Sequence, residues 1–506
     1  MTGNIRRGIA AIAVLTWTAA CSTDEVAITQ PEVTDEGTRI LPAVIQASLG
    51  FSTFFGGNDG DQVRDIVTDG AGNIYVVGGT RSKDFPTTTG AFDRTHNGDM
   101  DIFVAKFTAA GSLVWSTFVG GPNYDRAYAV EIAPGGDVVI AGRAGAQMPG
   151  LTGSFGPTFK GGTQVGGYGA QDGFVCKLSG DGKVVRFCGY VGTLDEHIVR
   201  DIAVDPLGNI YAVHLATKSG IPPAWTLGGY QAAFPGESTN LILKISPDGK
   251  TILGGTWFGG SGNEGGTGTI RWAGNRVYMV STTASPNLPT PGGFDHTLGG
   301  AEDLYLAVFT DNLRSLVFAT YVGGSNLERG ETHNAIVDGQ GNTFVGAATA
   351  STDIPGAATG FQKTNGGGDD GFVMKVSPTG SLLAATYVGG SGNDAFQGLA
   401  VTSFGRVFLS TITTSPNFPV TQFGLGTISG SSAGIVVLSF DLKSLLASRL
   451  LGGSQADEAR AIALAPDGSV SLAGMTSSFN WYRVNAFQSS YGGGNLDGVI
   501  FRFTLP

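Results

Sequence analysis

Apolar residues along this chain fall in runs of five to eight, alternating or continuous, separated by short clusters of Gly, Pro, Asp, Asn and Ser. Runs of that length with that punctuation predict β-strands, and none of them sustains the 3.6-residue period of a helix. The stretch from 334 to 388 shows the order most clearly. Asn334 to Val337 is one strand, Asp338-Gly339-Gln340-Gly341-Asn342 a turn, and Thr343 to Ala347 a second strand. A long loop of Gly, Thr and Pro leads to Phe372 to Val376, then to the turn Ser377-Pro378-Thr379-Gly380 and to Ser381 to Val388.

The same arrangement recurs. FFGG at 54, FVGG at 118, YVGT at 190, WFGG at 257, YVGG at 321, YVGG at 387 and LLGG at 450 set marks at intervals of 63 to 72 residues. That period exceeds a helical repeat and suits a four-stranded propeller blade with generous loops. Asp205-Pro206-Leu207-Gly208, Ala465-Pro466-Asp467-Gly468 and Ser246-Pro247-Asp248-Gly249 place Pro where φ near −65° is wanted and Gly where φ turns positive. Asp69-Gly70-Ala71-Gly72 and Ser179-Gly180-Asp181-Gly182 fill the same slots, so these are expected to be tight hairpin turns of one kind. The ends complement each other: Leu49 to Phe55 is a lone fourth strand, and Val499 to Thr504 is a third strand with no fourth behind it. Pairing them completes a blade and removes two exposed sheet edges. The expected fold is all-β, a single closed seven-bladed β-propeller of four-stranded blades whose last blade is completed by the N-terminal strand.

Taken together, YVGGSGND at 387, DGQGNTFV at 338, TRSKDFPTTTGAF at 80 and DDGFVMKVSPTG at 369 resemble the seven-bladed β-propeller repeat (SBBP) of bacterial surface proteins. The resemblance covers about residues 49 to 506. It implies the fold and an extracytoplasmic setting, and it supplies neither a reaction nor a ligand. Blades 2 and 3 depart most from the repeat, with insertions around 143 to 170 and Pro222-Pro223-Ala224-Trp225 in place of the DFPTT phrase. An individual site is expected in those departures.

Charge changes the picture in one respect. A net charge of −11 argues against a nucleic-acid partner, whose affinity would rest on Lys and Arg neutralising phosphates. At the N-terminus, Arg6 and Arg7 precede an apolar stretch from Ile9 to Trp17 and then Thr18-Ala19-Ala20-Cys21, the pattern of a secretory signal too short to span a membrane. Small residues before a Cys resemble the lipobox of bacterial lipoproteins, although Thr18 stands where Leu is commonest. By that resemblance Cys21 is the lipidated first residue of the mature chain. Ser22 follows it, without the Asp that holds lipoproteins at the inner membrane in well-studied Gram-negative bacteria, so outer-membrane attachment is expected. Residues 1–21 are thus read as a leader, 22–48 as a tether rich in Thr, Glu and Pro, and 49–506 as the propeller. The membrane is met through the lipid alone, and the chain is expected to be a monomer.

Three rings of polar residues offer chemistry. Asp61, Asp125, Glu264, Glu328, Asp394 and Asp457 follow the mark glycines, with Glu196 one residue early. Such carboxylates suit calcium, the cofactor they raise, but once per blade they suit the fixing of a loop better. A second set, Asp101, Asp172, Asp303, Asp370 and Asp497, gives way to Thr239 and Gly434 in blades 3 and 6, which also points to a local turn contact. The third ring, Arg64, Tyr128, Arg200, Thr267, His333, Gln397 and Arg460, precedes the innermost strands, which line a propeller's channel. It is either a cationic lining for an anionic ligand or a set of Arg–acid pairs within blades, such as Arg64 with Asp61 and Arg460 with Asp457.

Catalytic patterns are poor. Five scattered His form no paired metal motif, and Gly430-Ser431-Ser432-Ala433-Gly434 runs into a strand where a nucleophile elbow needs a helix. Asp65, Asp201 and Asn334 would make at best a weak oxygen site for a metal. Cys176 and Cys188 flank one hairpin. A three-residue loop pairs Cys176 with Arg186 and leaves Cys188 diagonal, so a disulfide requires a shifted register. The reading is a non-enzymatic extracytoplasmic scaffold or binding propeller that meets a glycan or an envelope protein. The alternative is a lactonase-like propeller hydrolase with a metal in its channel.

Overall fold

The computed structural model describes residues 45–505 except 162–167, 193–196, 218–219, 237 and 404, together with the backbone alone of His197. Cys21, the greater part of the tether and Glu196 lie outside the described residues. Seven sheets, antiparallel except for one two-residue parallel pairing, follow one another around a ring, and the only helical elements among the described residues are two 3-10 turns, Pro223–Trp225 and Ala357–Thr359.

Blades 1 to 5 run from an inner strand to an outer one in chain order, as Asp61–Thr68, Ile74–Thr80, Asp101–Phe107 and Leu113–Val119 do in blade 1; blades 2 to 6 occupy residues 126–191, 197–258, 264–322, 328–388 and 394–452, and in blade 6 the two-residue strand Leu425–Gly426 lies outside Leu445–Gly452. In blade 7 the inner three strands are Asp457–Leu464, Val470–Thr476 and Asp497–Thr504, and the outermost is Ser48–Phe55, paired antiparallel with Asp497–Thr504. The packing explains why. Phe54 is buried between blades 6 and 7, and Phe51 and Phe55 between blades 7 and 1. Phe55 meets Phe85, Phe103 and Phe107 of blade 1 edge-on, at centroid separations of 4.7, 5.6 and 5.0 Å. The Trp481 indole N–H donates to Ser52 Oγ at 2.8 Å and holds the strand from outside. The propeller also begins earlier than the sequence boundary at 49. Ala47 is fully buried, and the Ile45 N–H donates to the Leu446 carbonyl of blade 6.

The hairpins are of two kinds, which corrects the expectation of one. Between first and second strands the Asp205 carboxylate accepts the N–H groups of Leu207 and Asn209, and the turn closes tightly from Asp205 N–H to Asn209 O. Gly208 takes φ of 84° and Gly468 79°, as their turn positions require. Between third and fourth strands of blades 2 and 3, Ser179 and Ser246 hold a wider turn, in which each hydroxyl oxygen accepts the N–H five residues on. Beyond the wider turn Leu178 pairs with Val185, and Arg186 bulges out so that Lys177 faces Phe187. That bulge puts Cys188 directly opposite Cys176 instead of on the diagonal, and the two are disulfide-bonded.

Blade 5 departs from the pattern at its inner edge. The strand expected from Asn334 to Val337 is present as Ala335–Val337, but the inner edge carries a separate short strand, Glu328–Arg329, before it, and His333 sits in the gap between them with φ of 72°.

Replacing Phe54 with Ala should cost about 3–5 kcal/mol, the usual range for emptying a fully buried aromatic site. Deleting the chain through Gly57 should lower the melting temperature further, because both adjoining slabs lose their aromatic residues. Thermal or urea melts of the two variants measure this; wild-type stability in the truncated chain would show that the strand is not part of the core.

Candidate functional site

The loop carboxylates prove to be architectural. Gly57, Gly121, Gly260, Gly390 and Gly453, each the second glycine of its phrase, donate their N–H to Asp61, Asp125, Glu264, Asp394 and Asp457. Hydroxyls of the next loop join them: Ser82 donates to Asp61, Ser285 to Glu264, Ser351 to Glu328 and Ser415 to Asp394. The second set of acids does the same work one loop away, where Asp101 accepts the Asn97 N–H and Asp370 the Gly366 N–H. The two sets meet across the first mark glycine. A Cβ on Gly56 would come within 3.0 Å of both Asp61 and Asp497, and one on Gly323 within 3.0 Å of both Glu328 and Asp303. The invariant-looking glycine is therefore the space into which two carboxyl groups close. Burial pushes Asp61 and Asp370 up to about 6 and Asp125, Glu328 and Asp497 up to about 7, and the facing carboxylate adds to the rise for all but Asp61. Among the described residues, no group of three or more His, Cys, Asp or Glu is set to hold a metal ion.

The third ring has a single structural cause. In blades 1, 2, 3, 6 and 7 the register of the inner strand slips at Arg64, Tyr128, Arg200, Gln397 and Arg460, so each is the extra residue of a β-bulge. A bulge turns its side chain away from the sheet's alternation. Blade 4 slips across 265–267, which includes Thr267, and blade 5 supplies His333 from its break. Arg64, Tyr128, His333, Gln397 and Arg460 line one recess at one end of the channel, joined by Glu331 and Thr332. Around the Tyr128 ring stand Arg126, Arg200, Arg64 and Arg143, at 4.7, 5.0, 5.1 and 5.9 Å from its centroid. Burial would raise the Tyr128 phenol, but these four guanidiniums outweigh it and bring it down to about 8. The two pairs expected within blades do not form, since Asp61 and Asp457 are engaged in their loops; Arg460 pairs instead with Glu458 of its own strand at 2.7 Å and approaches Glu331 of blade 5 at 3.6 Å.

On the other side of His333 lies a cavity of about 300 Å³ with the opposite character. Its polar lining is Asp65, Glu131, Asp201, Arg271 and His333, set among Ile66, Val130, Ile336, Leu399 and Ile462. His333 reaches across from blade 5, with Nε2 3.4 Å from Asp65 and Nδ1 3.5 Å from Asp201. Burial opposes its charge, yet the two carboxylates prevail and hold its pKa above the ordinary histidine value. Asp201 also receives Arg271 at 2.5 Å, which with His333 outweighs burial and depresses its own pKa. Burial pushes Glu131 to about 7.

The three weak metal candidates are thus ties between neighbouring blades. Asp65 accepts the Val130 N–H of blade 2 at 2.7 Å, and Asp201 the Ile270 N–H of blade 4 at 3.0 Å. Asn334 exchanges hydrogen bonds with Thr269 of blade 4 and does not join the other two. Ser431 and Ser432 lead straight into the strand Ser432–Ser439, so the GxSxG match has no elbow. Sequence reasoning missed Arg126, Arg143, Glu131, Arg271, Glu331 and Thr332. One signal was present: Arg126 and Arg143 occupy facing register positions, where like charges are unfavourable unless something else compensates.

Residues 50–86 match the SBBP family, a beta-propeller repeat. The regulatory protein FlaEY of Caulobacter vibrioides is 25% identical over 368 residues, a match that covers 67% of this chain and 35% of that protein. The chain therefore spans about a third of that relative's length. A protein of unknown function from Dyadobacter fermentans has a TM-score of 0.40 at 11% identity, over 90% of this chain and 99% of its own. The quinohemoprotein alcohol dehydrogenase of Comamonas testosteroni also reaches 0.40, at 10% identity, over 90% of this chain and 76% of its own. Likenesses at that level carry no argument about what this chain does.

The raised carboxyls make a prediction about pH. A carboxyl whose folded pKa lies above its unfolded value is held protonated by the fold, so its stabilisation is complete below the unfolded value and is lost as pH rises through the folded one. From 3.8 to about 7, the window set by Asp61, Asp125, Asp370 and Asp497, stability should fall as pH rises. His333, also raised, works in the same direction. Melting temperatures measured across that window in buffers of equal ionic strength should decline; a steady increase would contradict the carboxyl pairs.

Proposed function

From a propeller that carries this repeat, we propose that the chain is an exported, non-enzymatic binding propeller, fixed to the cell envelope by lipid on Cys21. It presents its loops to a glycan or another envelope protein. The observation that carries this reading is that the acids recurring once per blade are engaged in holding loops and blades together. Recognition then falls to the parts that differ between blades. The loops of blades 2 and 3 support this, because Phe155, Pro157, Tyr190, Pro222 and Trp225 line a groove of about 370 Å³ with Lys160 at its side. Aromatic and proline faces with a polar neighbour suit the stacking of a sugar ring or a peptide. A disulfide at Cys176–Cys188 fits a compartment outside the reducing cytoplasm. The hydrolase alternative is not carried forward, since its three candidate ligands are each engaged by a neighbouring strand.

Two measurements test the proposal. Cys21→Ala should move the protein from the membrane fraction to the soluble one, and the wild-type chain should carry the mass of a lipid at its N-terminus. An unlipidated wild type, or a variant that stays in the membrane fraction, would overturn the anchor. Trp225→Ala should weaken binding to isolated envelope glycan roughly tenfold or more while the cooperative melt is retained at a modestly lower temperature, and undiminished binding would remove the groove from the reading.

A further inference from the structure

We propose that the basic mouth of the channel binds one compact oxyanion, a carboxylate or phosphate group, between Arg64 and Arg460 with Thr332 and Gln397 at its sides. The proposal stands without the tether, since the site would hold an anion wherever the protein resides.

Charge is the first argument. Four arginines, Arg64, Arg126, Arg200 and Arg460, gather around Tyr128 and this mouth, and among the described residues the carboxylates beside them, Glu331 and Glu458, both approach Arg460. Among the described residues, no carboxylate comes within 4.0 Å of Arg64 or Arg200. Arg64 faces Tyr128, and burial together with the charges of Arg460 and Arg126 pushes its pKa down to about 9. Like charges crowded in a half-buried recess are unfavourable, and a bound anion converts that repulsion into attraction. The chain's net charge of −11 makes the local excess of arginine more pointed, because no general need for basic residues accounts for it.

The second argument is independent of charge. Thr332 is 6% exposed, lines the same recess, and its hydroxyl has no hydrogen-bond partner. The buried Nε atoms of Arg200 and Arg460 and the side-chain oxygen of Gln397 are also without partners. Buried polar groups are ordinarily satisfied, and two donors without an acceptor on the lining of one recess, the Thr332 hydroxyl and the Arg460 Nε, indicate a missing acceptor. The amide of Gln397 can turn its NH₂ toward an oxyanion, and Thr332 can donate its O–H. Size selects the ligand. The recess has room for about one water molecule, so a single oxygen of the ligand enters it and the rest of the group stays at its open mouth. The oxyanion is therefore either a free small anion or the acidic group of a larger molecule whose body stays outside.

The purified full chain can be titrated with acetate, inorganic phosphate and a uronate oligosaccharide, with Tyr128 as an internal reporter. Saturable binding should raise the melting temperature and move the low-titrating tyrosinate absorbance to higher pH, as negative charge beside the four arginines disfavours the phenolate. Tyr128→Phe should remove the absorbance signal and keep the binding measured by calorimetry. Arg64→Gln and Arg460→Gln should each weaken binding at least tenfold. Arg64→Gln without anion should melt no lower than wild type, because it relieves repulsion, and this separates loss of a site from loss of the fold. Binding of the small anions assigns the site to free oxyanions, and binding of the oligosaccharide alone assigns it to the acid group of a glycan. If none of the three probes binds, or if Arg64→Gln and Arg460→Gln bind them as wild type does, the proposal falls. Membrane attachment and the blade 2–3 groove would be untouched by that result.

Discussion

No blade of this propeller can bury itself. Each four-stranded sheet is apolar on both faces, and the hydrophobic residues sort into seven slabs, each shared by two neighbours: blades 1 and 2, 2 and 3, and so on around to 7 and 1. The apolar area that drives folding is removed from water only when neighbouring blades stack, so stability belongs to the interfaces and not to the blades. This arrangement has no central hydrophobic core. The ring's middle is left to inner strands whose polar residues must find partners across blades, and Asp65, Asp201 and Asn334 do so.

That geometry explains which parts could be read beforehand. Period, turn chemistry and strand alternation are local, and they are repeated seven times, so the blades and the pairing partner of the N-terminal strand were visible in the residues. The ring through Arg64, Tyr128, Arg200, His333, Gln397 and Arg460 was visible too, because a position aligned in every blade is a position on the same circle. Its mechanism was hidden, since a β-bulge is a property of pairing and leaves little trace in one strand's sequence. The Cys176–Cys188 bond shows the same difficulty in miniature. Counting residues across the turn placed the sulfurs on a diagonal, and the wide Ser179 turn followed by the Arg186 bulge moved them face to face.

The remaining residues at the channel were illegible because their neighbours are far away in the chain. Arg271 meets Asp201 from the next blade, and Glu331 meets Arg460 from two blades away. His333 reaches across from blade 5 to groups of blades 1 and 3 because its inner edge is broken, which in sequence reads as an unremarkable Gly330-Glu331-Thr332-His333. The result is a channel with a polarity along its axis: three carboxyl groups against one guanidinium line the wider chamber, two guanidiniums against one carboxylate the narrow mouth, and one imidazole stands between them.

The outer strand of blade 7 is also where any mechanical load would arrive. Force applied through the residues before 45 reaches the Ile45–Leu446 bond, then the Ala47 N–H held by Gln422 and the Ala47 carbonyl held by Arg449, all on blade 6, before it reaches the ladder to Asp497–Thr504. An antiparallel ladder pulled from its end opens one rung at a time, the weakest geometry for resisting tension. By crossing from blade 6 to blade 7 first, the chain distributes the pull over two sheets and shields the first rung. The strand that latches the ring is in this way protected by the blade beside it.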